Sequence, residues 1–147
     1  MQLTGAAANE IVAAAQRIAE QEDARVCVAV VDEGGHLVAL SRMDDAPWAT
    51  AEVCTSKAWT AAAWRAPSSE LAAKARQLPQ FAAAQSVATH GRFMPQDGGV
   101  PILADGRVIG AAGASGSTGQ HDAEIVRRAI EQQPGLSAPP APEPADG

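Results

Sequence analysis

An α+β domain, with helices packed on an antiparallel sheet, is the fold class that this sequence predicts. Three observations carry it. A period of three to four residues runs through the first twenty residues and again through 120–132. Two apolar segments each close on a two- to four-residue turn, the mark of a local hairpin. The order helix, hairpin, helices, hairpin, helix leaves no alternation of single strands and helices that would build a parallel sheet.

Taken in order, Leu3, Ala7, Ile11, Ala14 and Ile18 make the apolar stripe of a helix over 3–22, with Glu10, Arg17 and Glu20 off it. Val26-Cys27-Val28-Ala29-Val30-Val31 is apolar without alternation, as expected of a strand covered on both faces. Asp32-Glu33-Gly34-Gly35 turns the chain into a second strand, His36 to Leu40. Pro47 suits the first turn of an Ala-rich helix running to Trp64. Ser68 or Ser69 caps a third helix holding Leu71 and Ala75, and 79–97 reads as a short helix plus irregular loop. Val100 to Leu103 and Arg107 to Ala112 flank Asp105-Gly106, a strong hairpin signal. A glycine-rich turn, Gly113 to Gly119, leads into the last helix. Residues 1–133 form the expected domain, and the Pro-rich 134–147 reads as a disordered tail.

Composition excludes several functions. Eleven basic against seventeen acidic residues, a net charge of −6 and no basic run argue against nucleic acid as a partner. No apolar run approaches the length of a membrane span, and no charged leader precedes the first apolar stretch, so a cytoplasmic protein without membrane contact is expected. Cys27 and Cys54 have neither CxxC nor metal-ligand spacing and read as buried thiols. His36, His90 and His121 lack the paired spacing of a zinc site, so no metal is expected.

Val30-Val31-Asp32-Glu33-Gly34-Gly35-His36-Leu37-Val38 with Ser41-Arg42-Met43-Asp44 resembles the first signature of the GlcG/HbpS-like proteins. Lys57-Ala58-Trp59-Thr60-Ala61-Ala62 is similar to the family's helix motif. Gly98-Gly99-Val100-Pro101-Ile102, Asp105-Gly106, Val108-Ile109-Gly110 and Gly113-Ala114-Ser115-Gly116 resemble its C-terminal half, and Asp122 matches the acid of its last motif. The resemblance extends to the C-terminal part of PduO-type proteins. It implies a five-stranded antiparallel sheet flanked by helices, a homo-oligomer (dimer or higher), and the handling of a small molecule, haem or another tetrapyrrole among the candidates.

Candidate site residues follow. The turn Gly113 to Gly119, with Ser115 and Gly116, can aim backbone N–H groups at a ligand carboxylate or phosphate; equally, its Ser and Thr can simply cap the helix. It is neither a P-loop nor a nucleophile elbow, lacking the Lys of the one and the last Gly of the other. His121 beside Asp122 suits proton transfer in an enzyme, or is an exposed first-turn residue. His90 and Arg92 can reach a ligand, and His90 or His121 can serve as the axial donor to a haem. Arg42 and Lys57 can pair with a ligand acid, or Arg42 with Asp44 or Asp45. Gly98 and Gly99 stand in a family-like motif. Trp48 and Trp59, eleven residues apart, share a face that reads as an oligomer interface or as core. A non-enzymatic tetrapyrrole carrier and a cofactor-independent isomerase, lyase or hydrolase both fit. The carrier is favoured, although a chain with two Phe, three Trp and no Tyr is poor in the rings that haem pockets recruit.

Overall fold

The computed structural model describes residues 1–143. Nine elements follow in the order α1 (Gly5–Gln21), β1 (Cys27–Asp32), β2 (Leu37–Arg42), α2 (Thr50–Trp64), α3 (Ser68–Gln77), α4 (Pro79–Ala88), β3 (Gly99–Ala104), β4 (Arg107–Ser115) and α5 (Gly119–Glu131). The fold is α+β, with the strands antiparallel in the order β2-β1-β4-β3.

The position of β1 explains its unbroken apolar run. It pairs on both sides, and alternate residues serve two cores. Val26, Val28 and Val30 pack with Ile11, Ile125 and Ile130 under α1 and α5. Cys27 and Ala29 pack with Cys54, and Val31 with Ala58 and Ala61, on the opposite face under α2. A strand between two helical layers has no polar face to offer. β2, at the sheet edge, instead leaves Leu37, Val38 and Leu40 exposed.

Local signals set most boundaries. Thr4 caps α1, its hydroxyl accepting from Ala7 N at 3.0 Å. Asp105 and Gly106 both take positive φ, 52° and 76°, as a tight type I′ hairpin turn requires. Pro47 lies outside α2, which begins at Thr50, where the hydroxyl folds back on Pro47 O at 2.6 Å. Pro79 opens α4, a full ten-residue helix with no buried residue, which is why no apolar period announces it.

Two expectations need correction. The sheet has four strands, not five. Among the described residues the two hairpins supply all of them, and beyond β3 lies only an isolated bridge, Leu103 with Ser137. Pro139 and Pro140 follow at once and have no N–H to extend a ladder. The tail expected to be disordered over 134–147 also docks in part. Ser137 exchanges backbone hydrogen bonds with Leu103 at 2.8 and 2.9 Å, and Leu136 and Ala138 pack against the larger core. The buried Arg127 donates from Nε to Pro139 O at 3.1 Å. Residues 144–147 lie outside the described residues.

Candidate functional site

Lys57 is the first of the expected site residues that the fold explains. α2 lies on the sheet through Cys54, Lys57, Ala58 and Ala61, so Lys57 is carried inward and is only 4% exposed. Its Nζ donates to Ala114 O at 3.1 Å and to Asp122 Oδ2 at 3.3 Å. Asp122, in the first turn of α5 and 1% exposed, uses its other oxygen to accept from Ser117 N at 2.9 Å. Burial pushes the Asp122 carboxyl above its ordinary value, against the pull of Lys57 and the Ser117 N–H. The pair joins α2 to α5 across the end of β4.

The glycines around it serve close packing. A Cβ on Gly98, whose φ is +134°, would sit 2.8 Å from Lys57 Nζ. On Gly99 it would meet the Lys57 carbonyl, and on Gly113 the Cys54 carbonyl. Gly113 and Ser115 are buried in β4 rather than lying in the turn. Gly116, with φ of +139°, lies against the Arg25 carbonyl. Thr118 caps α5, its hydroxyl accepting from His121 N at 3.2 Å. Of the two readings of this turn, the geometry matches the cap. An α-helix brings its backbone this near a sheet only where side chains are absent.

His121 and Asp122 diverge. Successive helical residues point about 100° apart, so Asp122 enters the core while His121 faces the surface. The expected proton-transfer pair is therefore not assembled. His121 Nδ1 lies 2.7 Å from Ser117 Oγ, and its Nε2 lies 2.7 Å from Glu22 Oε1. Glu22 also accepts from Arg128 at 2.5 Å, and Arg128 with His121 holds its carboxyl below the usual range. Arg42 is remote from both groups. Its guanidinium donates to Ala46 O at 2.7 Å, beside an open groove where Arg17 and Arg25 face Glu20, Asp44 and Asp45. No ion pair between Arg42 and Asp44 or Asp45 forms among the described residues.

Aromatic rings converge elsewhere. Trp59 and Trp64 of α2 meet edge to face at 6.2 Å between centroids. Trp64 meets Phe93 at 4.9 Å, and Phe93 meets Phe81 of α4 at 5.7 Å. Thus four of the five aromatic residues in the chain form one cluster. Two cations lie on its rings, the Arg92 guanidinium 5.0 Å from the Trp59 centroid and Lys74 Nζ 4.5 Å from that of Phe81. Trp48 is 77% exposed and has no part in this cluster, because it precedes α2; the face expected for Trp48 and Trp59 does not form. The loop below is pinned by Thr60 Oγ1, accepting from Met94 N at 2.8 Å, and by Thr89 Oγ1, accepting from Phe93 N at 3.0 Å.

His90 stands at this loop, exposed and in the left-handed region at φ of 56°. His36 holds Asp32 Oδ1 at 3.2 Å through Nδ1, and both nitrogens of His121 are engaged. Among the described residues, His90 is the histidine whose ring has no hydrogen bond. Sequence reasoning reaches His90 and Arg92 but not Phe81, Phe93 or Lys74, which are far apart in sequence from Trp59. The usable signal was scarcity, since rings so few are costly to leave scattered on a surface.

The family model described as "Haem degrading protein HbpS-like" matches residues 3–131. The chain belongs to the HbpS-like family. This HbpS-like chain is 38% identical to protein GlcG of Escherichia coli K12 over 116 residues, covering 74% of this chain and 77% of GlcG. A crystal structure of a Streptomyces reticuli HbpS double mutant matches at a TM-score of 0.77 and 32% identity, covering 88% of this chain and 85% of that one. The crystal structure of a PduOC:heme complex matches at 0.80 and 30% identity, covering 89% and 94%. No helix among the described residues is long and apolar enough to cross a membrane.

Proposed function

We propose that this HbpS-like chain binds a tetrapyrrole of the haem type on the face formed by Trp59, Trp64, Phe81 and Phe93. The observation that carries this is the convergence of those rings with two cations, beside a loop that holds the exposed His90 two residues before Arg92. The ligand class is an extended planar ring with apolar faces, acidic side arms and an iron that takes an axial nitrogen. Each part has a counterpart here. Trp59 and Trp64 offer ring faces and edges, Arg92 and Lys74 offer cations for the acid groups, and His90 offers an imidazole nitrogen.

α4 forms one wall of this face, carrying Phe81 onto the buried Phe93. The haem complex of the PduOC relative supports the ligand class. We extend the same proposal to assembly: the exposed Leu37, Val38 and Leu40 on the β2 edge suit a second copy, giving a homo-oligomer. A cytoplasmic setting fits Cys27 and Cys54, both free thiols.

The test is a haemin titration followed at the Soret band, with Arg92→Ala and Trp59→Ala beside the unaltered protein. Saturable binding at micromolar haemin, weakened about 10-fold or more in each variant by loss of an ion pair or a stacking face, is the expected result. Binding of equal strength in all three proteins would remove this face as the site.

A further inference from the structure

Ser117, His121 and Glu22 form a continuous relay that the tetrapyrrole reading does not use. Ser117 Oγ lies 2.7 Å from His121 Nδ1, and His121 Nε2 lies 2.7 Å from Glu22 Oε1. Three separate contacts fix this arrangement. Ser117 is held by its backbone N–H on the buried Asp122 at 2.9 Å. The His121 backbone is held by the Thr118 cap at 3.2 Å. Glu22, at the end of α1, is held by Arg128 of α5 at 2.5 Å.

The acid decides which nitrogen carries the proton. Arg128 and His121 keep the Glu22 carboxylate ionised, so it accepts only, and the nitrogen facing it must be the donor. A neutral His121 then has its proton on Nε2 and a lone pair on Nδ1, directed at the Ser117 hydroxyl. This is the division of roles among nucleophile, base and orienting acid that acyl-transfer sites share, whichever ring nitrogen faces the serine. Ser117 is exposed, so a substrate can reach it.

We infer that Ser117 is a nucleophile towards small carboxylic esters, with His121 as its general base and Glu22 as the positioning residue. Ser117 Oγ attacks the ester carbonyl carbon while its proton passes to His121 Nδ1. The tetrahedral species then collapses, the bond to the alcohol oxygen breaks, and the departing alcohol takes the proton from His121. Water attacks the acyl-serine in turn, giving its proton to His121, which returns it to Ser117 Oγ. Ester and water become acid and alcohol, with nothing else consumed.

The probe is p-nitrophenyl acetate, with nitrophenolate release followed by absorbance and the intact protein by mass spectrometry. The expected result is an initial burst, one acetyl group on the peptide holding Ser117, and a rate at least about 100-fold lower in Ser117→Ala and His121→Ala, the scale of lost nucleophile or base. Glu22→Asp is expected to keep more of the rate than Glu22→Gln, and the pH profile of the rate is expected to shift in Glu22→Gln, a change that loss of a merely structural carboxylate would not give. Ser117→Ala changes an exposed hydroxyl, so its folding is safe, and its haemin titration is expected to match the unaltered protein. An acetyl group found elsewhere, or a Ser117→Ala rate equal to the original, would overturn the assignment and leave the tetrapyrrole proposal standing.

Discussion

Lys57 and Asp122, 65 positions apart in sequence, meet at 3.3 Å beneath the end of the sheet, both almost wholly buried. Their desolvation is costly, and the carboxyl reflects it by moving towards the neutral form despite the nearby ammonium. The two ends are therefore not equivalent. Lys57→Met leaves a carboxyl that can take up a proton, whereas Asp122→Asn leaves an ammonium without its counter-ion. Urea denaturation should show Asp122→Asn destabilising by about 3–5 kcal/mol, the cost of breaking a buried pair, and Lys57→Met by less. Equal losses would contradict the asymmetry.

Glu22 and Asp122 bias the pH dependence of stability in opposite directions. Glu22 is lowered on folding from its ordinary 4.5, so its contribution is present above that value and is lost as pH falls through the folded one. Asp122 is raised from 3.8, so its contribution is present below 3.8 and is lost as pH rises through the folded value. Thermal melts of Glu22→Gln should therefore fall below the unaltered protein near neutrality and converge with it as pH drops below 4.5. A gap that stays constant down to acid pH would show that Glu22 is not linked to folding through its charge.

Close packing of α2 on the sheet makes glycine substitutions diverge by position. At Gly113 a methyl group would strike the Cys54 carbonyl, whereas at Gly5 it would meet nothing within 4 Å. Gly113→Ala should cost about 1–3 kcal/mol or more as overpacking. Gly5→Ala should gain about 0.4–1 kcal/mol by narrowing the unfolded ensemble. Chemical denaturation of the two variants checks both signs.

The chain beyond Pro134 closes the outer edge of β3. Truncation after Pro134 removes the Leu136 contact and the Ser137 bridge, exposing N–H and C=O groups of Leu103. The shortened protein should lose about 1–3 kcal/mol, the scale of partial Leu burial and two backbone hydrogen bonds. Light scattering should also show more self-association, as an uncovered edge strand invites. Unchanged stability and scattering would mean that the docked segment contributes nothing.

Much of the fold was legible because its signals are local. The buried run of β1, the Asp105-Gly106 turn and the amphipathic stripes of α1 and α5 each depend on neighbours within a few residues. α4 was not legible as a ten-residue helix, since it lies at the rim and buries no residue that could set a period. The docking of Leu136 to Pro139 was hidden for another reason: a Pro-rich composition signals a lack of core, not a lack of contacts. The site was legible residue by residue but not in its pairings. Lys57, Asp122 and His121 could be singled out, yet which of them meet depends on how α2, α5 and the end of α1 cross, a tertiary fact. The aromatic cluster was missed for the same reason, its four rings coming from α2, α4 and a loop.

The tetrapyrrole proposal requires His90, not His121, as the imidazole that reaches the ligand. The decisive measurement is the Soret and visible absorbance spectrum of the haemin complex in His90→Ala and His121→Ala. His121 already uses both ring nitrogens, so its removal should leave the spectrum and affinity unchanged, whereas His90→Ala should abolish the imidazole-ligated spectrum. A complex that keeps that spectrum in His90→Ala and loses it in His121→Ala would rule out His90 as the ligand.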